Sequence, residues 1–225
     1  GEGADFIDVG GMSSRPGAEI IDVSQEKQRV VPAIEAIARA FPDAVISIDT
    51  VHAAVAKAAL EAGASIVNDI SAGQFDNKIM EVAARAKAPY ILMHMQGLPK
   101  SMQENPQYEY VVLEVMDFLS EKVAEAKVAG IHDIIIDPGF GFGKTVAHNF
   151  ELLNHLSDFK IFDVPVLVGI SRKSMICKPL KVSPENALNG TTALHAVALQ
   201  KGASILRVHD VKEAKEVVEL IGLLL

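Results

Sequence analysis

Apolar residues follow two alternating rhythms along the chain. Short runs such as "AVISID", "SIVND", "PYILMH", "DIIID" and "VPVLVGIS" are nearly continuous in Val, Ile, Leu and Met, then break into polar residues. Between them lie longer amphipathic runs. In "YEYVVLEVMDFLSEKVAEAKVAG", Val111, Val115, Phe118 and Val123 recur at helical spacing. Four times the same junction appears, a helical run ending in Gly and followed by a strand: "EGADFIDVGG", "EAGASIVNDIS", "VAGIHDIIIDPG" and "QKGASILRVHD". Gly3, Gly63, Gly130 and Gly202 sit where a helix ends in a residue of positive φ. The pattern predicts seven strands, near Phe6–Val9, Val45–Asp49, Ile66–Asn68, Tyr90–His94, Ile134–Asp137, Val166–Ile170 and Ile205–His209.

Strands that are apolar on both faces and alternate with helices imply a parallel sheet covered on both sides. Seven βα repeats point to a (β/α)8 TIM barrel lacking its first βα unit, with a doubly wound sheet as the alternative. One domain spanning 1–225 is expected, without a linker or low-complexity segment. Its opening, "GEGADF", reads as the end of a helix, so the expected domain is incomplete at the N-terminus.

Composition narrows the possibilities. The 225 residues are 49% hydrophobic and 22% charged, the balance of a folded soluble chain. No apolar stretch is long enough for a membrane span, so no membrane partner is expected. One cysteine, Cys177, suits a reducing compartment and hence the cytoplasm. A net charge of −8 argues against nucleic acid as a partner. Cations at a strand end therefore mark a local site, and "VLVGISRKS" places Arg172 and Lys173 directly after one of the most apolar runs.

In a barrel of this type the chemistry gathers at the C-terminal strand ends. Those ends carry Asp49, Asn68 and Asp137, each of which could also be a helix cap or turn residue. Arg207 and His209 are two apart and share a face, which favours an oxyanion, most plausibly phosphate; a structural salt bridge is the bland alternative. Lys173 could serve as a Schiff-base lysine, although Ser171, Arg172 and Ser174 look more like a cluster of donors. "GFGFGK" (139–144) lacks the spacing of a Walker phosphate loop and reads as a mobile loop laying Phe140 and Phe142 over a ligand. His94, between Met93 and Met95, reads as a core histidine, and no histidine pair suggests a metal.

Taken in order, "DVGGMSSRPGA", "ISIDT", "VNDISAG", "LMHMQGLPKSMQ", "DPGFGFGK", "LVGISRKSMI" and "RVHDVKE" make the chain resemble the dihydropteroate synthase family along essentially its whole length. The resemblance implies condensation of 6-hydroxymethyl-7,8-dihydropterin diphosphate with p-aminobenzoate, an SN1-like transfer in folate biosynthesis that releases diphosphate. It implies catalytic roles for Asp49, Asp137 and Lys173. A pterin pocket would be formed by Asp49, Asn68, Met93, Asp137, Lys173 and Arg207, with diphosphate on Arg207 and His209. Ser14, Arg15, Pro16, Phe142, Lys173 and Ser174 would hold p-aminobenzoate. Mg2+ as cofactor, a homodimer through outer helices, and sulfonamides as inhibitors belong to the same expectation. Met12 stands where the family usually has Glu, and Ser14 where it has Thr. The family's Asn-Val-Thr-Pro-Asp-Ser-Phe-Ser-type motif, with its metal-linked Asn, does not occur in these residues. Alternatives are a pterin-dependent methyltransferase, a non-catalytic pterin-binding scaffold and a Schiff-base aldolase acting through Lys173.

Overall fold

A computed structural model describes residues 2–13, 21–97 and 100–224. All seven expected strands form: β1 (Phe6–Gly10), β2 (Val45–Asp49), β3 (Ile66–Asp69), β4 (Tyr90–Met93), β5 (Ile134–Asp137), β6 (Leu167–Val168) and β7 (Ile205–Leu206). They alternate with helices α1 (Val23–Ala40), α2 (Ala53–Glu61), α3 (Ile79–Ala86), α4 (Val111–Val128) and α5 (Val146–Asn154). After β6 come α6 (Ser174–Leu180) and α7 (Leu188–Gln200), and after β7 comes α8 (Val211–Gly222). The last two strands are shorter than expected, ending at Val168 and Leu206.

Every strand pair is parallel, and neighbours follow chain order. β1 to β5 form one ladder, β6 pairs with β7, and a single bridge between Ile136 and Val166 links the two groups. A doubly wound sheet reverses strand order at a switch point; sequential order without reversal is that of a barrel wall. This α/β architecture fits a (β/α)8 barrel. Between β7 and β1 no ladder joins the described residues, and the Arg207 side chain crosses that seam to Asp8 and Asp49.

Two apolar layers hold the wall. Inside, Ile66, Ile91, Ile135 and Leu167 pack together with Val45 and Ile205, one residue from each of six strands. Outside, the helices bury stripes such as Val111, Val115, Leu119, Val123 and Ala126 of α4. Leu119, rather than Phe118, takes the innermost place on that stripe. The glycines at 3, 63, 130 and 202 all adopt positive φ, as their position between helix and strand required.

Candidate active site

Strand periodicity builds the site. Side chains two apart on a strand share a face, so continuing from the inner layer leads to one ring at the C-terminal rim. Ile66 leads to Asn68, Ile91 to Met93, Ile135 to Asp137, Leu167 to Gly169 and Ile205 to Arg207. On β2, Val45 and Ser47 lead to Asp49. The register pairs Asp8 with Ser47, which brings Asp8 onto the same face.

Arg207 organises one side of this mouth. Its Nε donates to Asp8 Oδ2 at 2.7 Å and its Nη2 to Asp49 Oδ2 at 2.9 Å. Asn68 Nδ2 donates to Asp8 at 3.3 Å. Burial, reinforced by the nearby Asp8 carboxylate, pushes Asp49 up to about 7 although Arg207 opposes the shift. Asp49 caps no helix: the N-cap of α2 is His52, and Asp76 takes the N–H of Ala53. Asp8 was not singled out by sequence reasoning. The available signal was its place two residues before Gly10, the partner of Asp49, on the inward phase of β1.

Across the mouth, Asp137 Oδ1 accepts from the Gly139 N–H at 2.7 Å, so the expected turn forms and one oxygen is committed to it. Burial raises the Asp137 pKa, while Lys173 pulls the other way. Lys173 Nζ donates to the carbonyl of Phe140 at 2.6 Å and stands 4.8 Å from the centroid of the Phe142 ring. Burial lowers Lys173 to about 8, with Arg207 contributing and Asp137 opposing. Met93, Met95, Met102, Val51, Ile70 and Phe142 form an apolar floor beside these charges.

Two expectations are corrected here. Arg172 does not face the mouth. Its φ of 56° turns it toward the start of α8, where its guanidinium forms a two-pronged ion pair with Asp210. The "GFGFGK" segment is packed rather than laid over the opening: Phe140 is fully buried in the outer core and Phe142 lies in the floor. The remaining residues lie near the same rim. His209 Nδ1 is 3.0 Å from Ser171 Oγ, and Ser174 is the exposed first residue of α6. His94 is buried as expected but is bound to Lys144. Ser14, Arg15 and Pro16 lie outside the described residues.

Residues 1–209 match the family described as pterin binding enzyme. The chain is 46% identical over 221 residues to the dihydropteroate synthase of Escherichia coli (strain K12), covering 97% of this chain and 78% of that relative. It belongs to the dihydropteroate synthase family. The Yersinia pestis dihydropteroate synthase with a sulfonamide drug complex superposes with a TM-score of 0.95 at 43% identity, over 99% of this chain and 81% of that one. The Xanthomonas albilineans dihydropteroate synthase with 4-aminobenzoic acid gives 0.93 at 40%, over 99% and 80%. Dihydropteroate synthases are transferases of folate biosynthesis. Membership in this family replaces the methyltransferase, scaffold and aldolase readings.

Proposed function

We propose that the rim residues carry the family's condensation as follows. The observation that supports this most is the convergence of Asp49, Asn68, Asp137, Lys173 and Arg207 from five different strand ends on one mouth. A 2-amino-pyrimidinone edge presents adjacent donors, which suit the free oxygen of Asp137 and the amide of Asn68. Lys173 borders both the pterin ring and the p-aminobenzoate side, and Met93 packs against the ring. Arg207 and His209 receive the diphosphate, where negative charge grows as the C–O bond breaks. Asp49, kept close by Arg207, faces the developing cation at the pterin methylene. The aniline nitrogen then attacks with its own lone pair and gives up a proton, so it needs orientation more than a strong base. Phe142 and Ser174, with Ser14, Arg15 and Pro16, form the p-aminobenzoate side.

Mg2+ enters this proposal as a companion of the diphosphate oxygens, a common mode for this ion. Among the described residues no three His, Cys, Asp or Glu side chains gather to hold a metal, and no step above depends on it. We also place the protein in the cytoplasm, which its single cysteine supports. No helix is long and apolar enough to cross a membrane. A homodimer through α8 is supported by the exposed Val218, Leu220, Leu223 and Leu224 at that end of the chain.

The test is diphosphate release from the pterin diphosphate at millimolar Mg2+, with and without p-aminobenzoate. Release that requires p-aminobenzoate, with dihydropteroate as product, is expected. Release at the same rate without it would overturn the assignment of a coupled transfer.

A further inference from the structure

The reaction as assigned leaves one buried cation unused. Lys144 is 2% exposed, yet it points behind the rim of β4 and β5 rather than into the mouth. Its Nζ lies 2.8 Å from His94 Nδ1, 2.9 Å from the carbonyl oxygen of Gly139, 3.1 Å from that of Phe142 and 3.4 Å from that of His94. A buried ammonium is tolerated when acceptors satisfy its three N–H groups, and here the acceptors surround it.

Each acceptor is one step from the site. Gly139 donates to Asp137 through its N–H. Phe142 carries the ring beside the Lys173 ammonium, and the intervening Phe140 supplies the carbonyl that Lys173 binds. His94 directly follows Met93. Gly139 itself must be glycine, because at its φ of 72° a Cβ would collide with the His94 carbonyl. The turn therefore presses on the β4 end with no spacer, and Lys144 is the tie across that contact.

We infer that Lys144 is a positioning residue for the transfer, its ammonium pinning the 139–143 turn to His94 so that Asp137 and Lys173 are held at the pterin. This rests on the pterin-transfer assignment above. The groups facing Lys144 are His94 from the β4 end, Asp137 from β5 and Lys173 from the β6–α6 turn. From α4 the neighbour is the apolar Phe118, whose ring meets His94 edge-on at 5.0 Å. Tyr108 adds a hydroxyl that donates to Gly143 at 2.9 Å. Burial lowers Lys144 to about 7, Lys173 assisting and Asp137 opposing. His94 is held neutral, first by burial and then by Lys144. Its Nδ1 accepts a hydrogen bond from the ammonium, which leaves the ring proton on Nε2. Loss of a proton from Lys144 leaves two donors for these acceptors and loosens the tie.

Two measurements test the inference. In Lys144→Met, affinity for 6-hydroxymethylpterin by calorimetry and kcat/KM for the pterin diphosphate should fall about tenfold or more, the worth of a charged hydrogen bond. KM for p-aminobenzoate should rise as well, because Phe142 and Lys173 border that side. Unchanged pterin affinity in a folded variant would overturn it. The second uses the wild type. Hydrogen exchange at the amides of Gly141 and Phe142, which bind Asn149 Oδ1 and the Gly139 carbonyl, is compared at pH 6 and 8.5 after correction for intrinsic rates. Protection should drop about tenfold at the higher pH; constant protection would overturn the role even if Lys144→Met failed to fold. Absence of p-aminobenzoate-dependent release by the wild type would instead count against the assigned reaction, and the exchange result would still report on the tie.

Discussion

Asp49 and Lys173 face the same mouth with opposite charge requirements. In the proposed transfer Asp49 must be ionised to stabilise a cation, and burial lifts its pKa to about 7. Lys173 must be protonated to donate, and burial lowers it to about 8. The free-enzyme profile of kcat/KM for the pterin diphosphate should therefore be a narrow bell, rising through about pH 7 and falling through about pH 8. Arg207 is the second test at this level. A lysine cannot reproduce its simultaneous grip on Asp8 and Asp49, so Arg207→Lys should lower kcat/KM about 10- to 100-fold by losing one charged hydrogen bond. Steady-state kinetics check both expectations.

The loops between elements carry conformations that their residues barely allow. Gly139 adopts a φ of 72° against the His94 carbonyl, and Gly139→Ala should cost about 2 kcal/mol or more in urea unfolding, with pterin affinity falling alongside. The first turn of α1 holds a different liability. Glu26 is fully buried, and among the described residues neither carboxylate oxygen has a hydrogen-bond partner within bonding geometry. Thr50 lies beside it, and His52 Nε2 is 3.9 Å away. Burial raises its pKa above 4.5 despite those neighbours. Below pH 4.5 the carboxyl is protonated whether the chain is folded or unfolded. As pH rises toward the folded-state value, the unfolded chain releases its proton first, and folding loses stability. Glu26→Gln should remove that slope, so its stability relative to the wild type should climb above pH 4.5 and stay flat below it. Urea denaturation across pH 4 to 8 checks the sign.

Across the molecule, the barrel interior and the helix-facing core satisfy most apolar residues, but Leu220 of α8 is 66% exposed and its C-cap Leu223 84%. Burying such a patch against a second copy is the expected source of a dimer. Leu220→Glu combined with Leu223→Glu should shift sedimentation from dimer to monomer while pterin affinity, assigned to the strand-end rim, is retained. A monomeric wild type would refute the dimer.

Much of this was written in local pattern. Val, Ile and Leu runs broken by helical stripes and phased glycines require parallel β–α repeats, because each element must bury its own apolar face. The same alternation placed Asp49, Asn68, Asp137 and Arg207 on the inward face at the rim, since strand period depends only on neighbours in sequence. The remaining roles depend on partners far along the chain. Asp8 looked like any acid before a turn until Arg207, 199 residues away, reached it. Arg172 and Lys173 are adjacent and alike in charge, yet a left-handed backbone at Arg172 sends one to Asp210 and leaves the other in the mouth. Lys144 became a tie because His94, 50 residues earlier, stands behind it. Charge partners are chosen by distance in space, and that distance exists once the strands have assembled around a common rim.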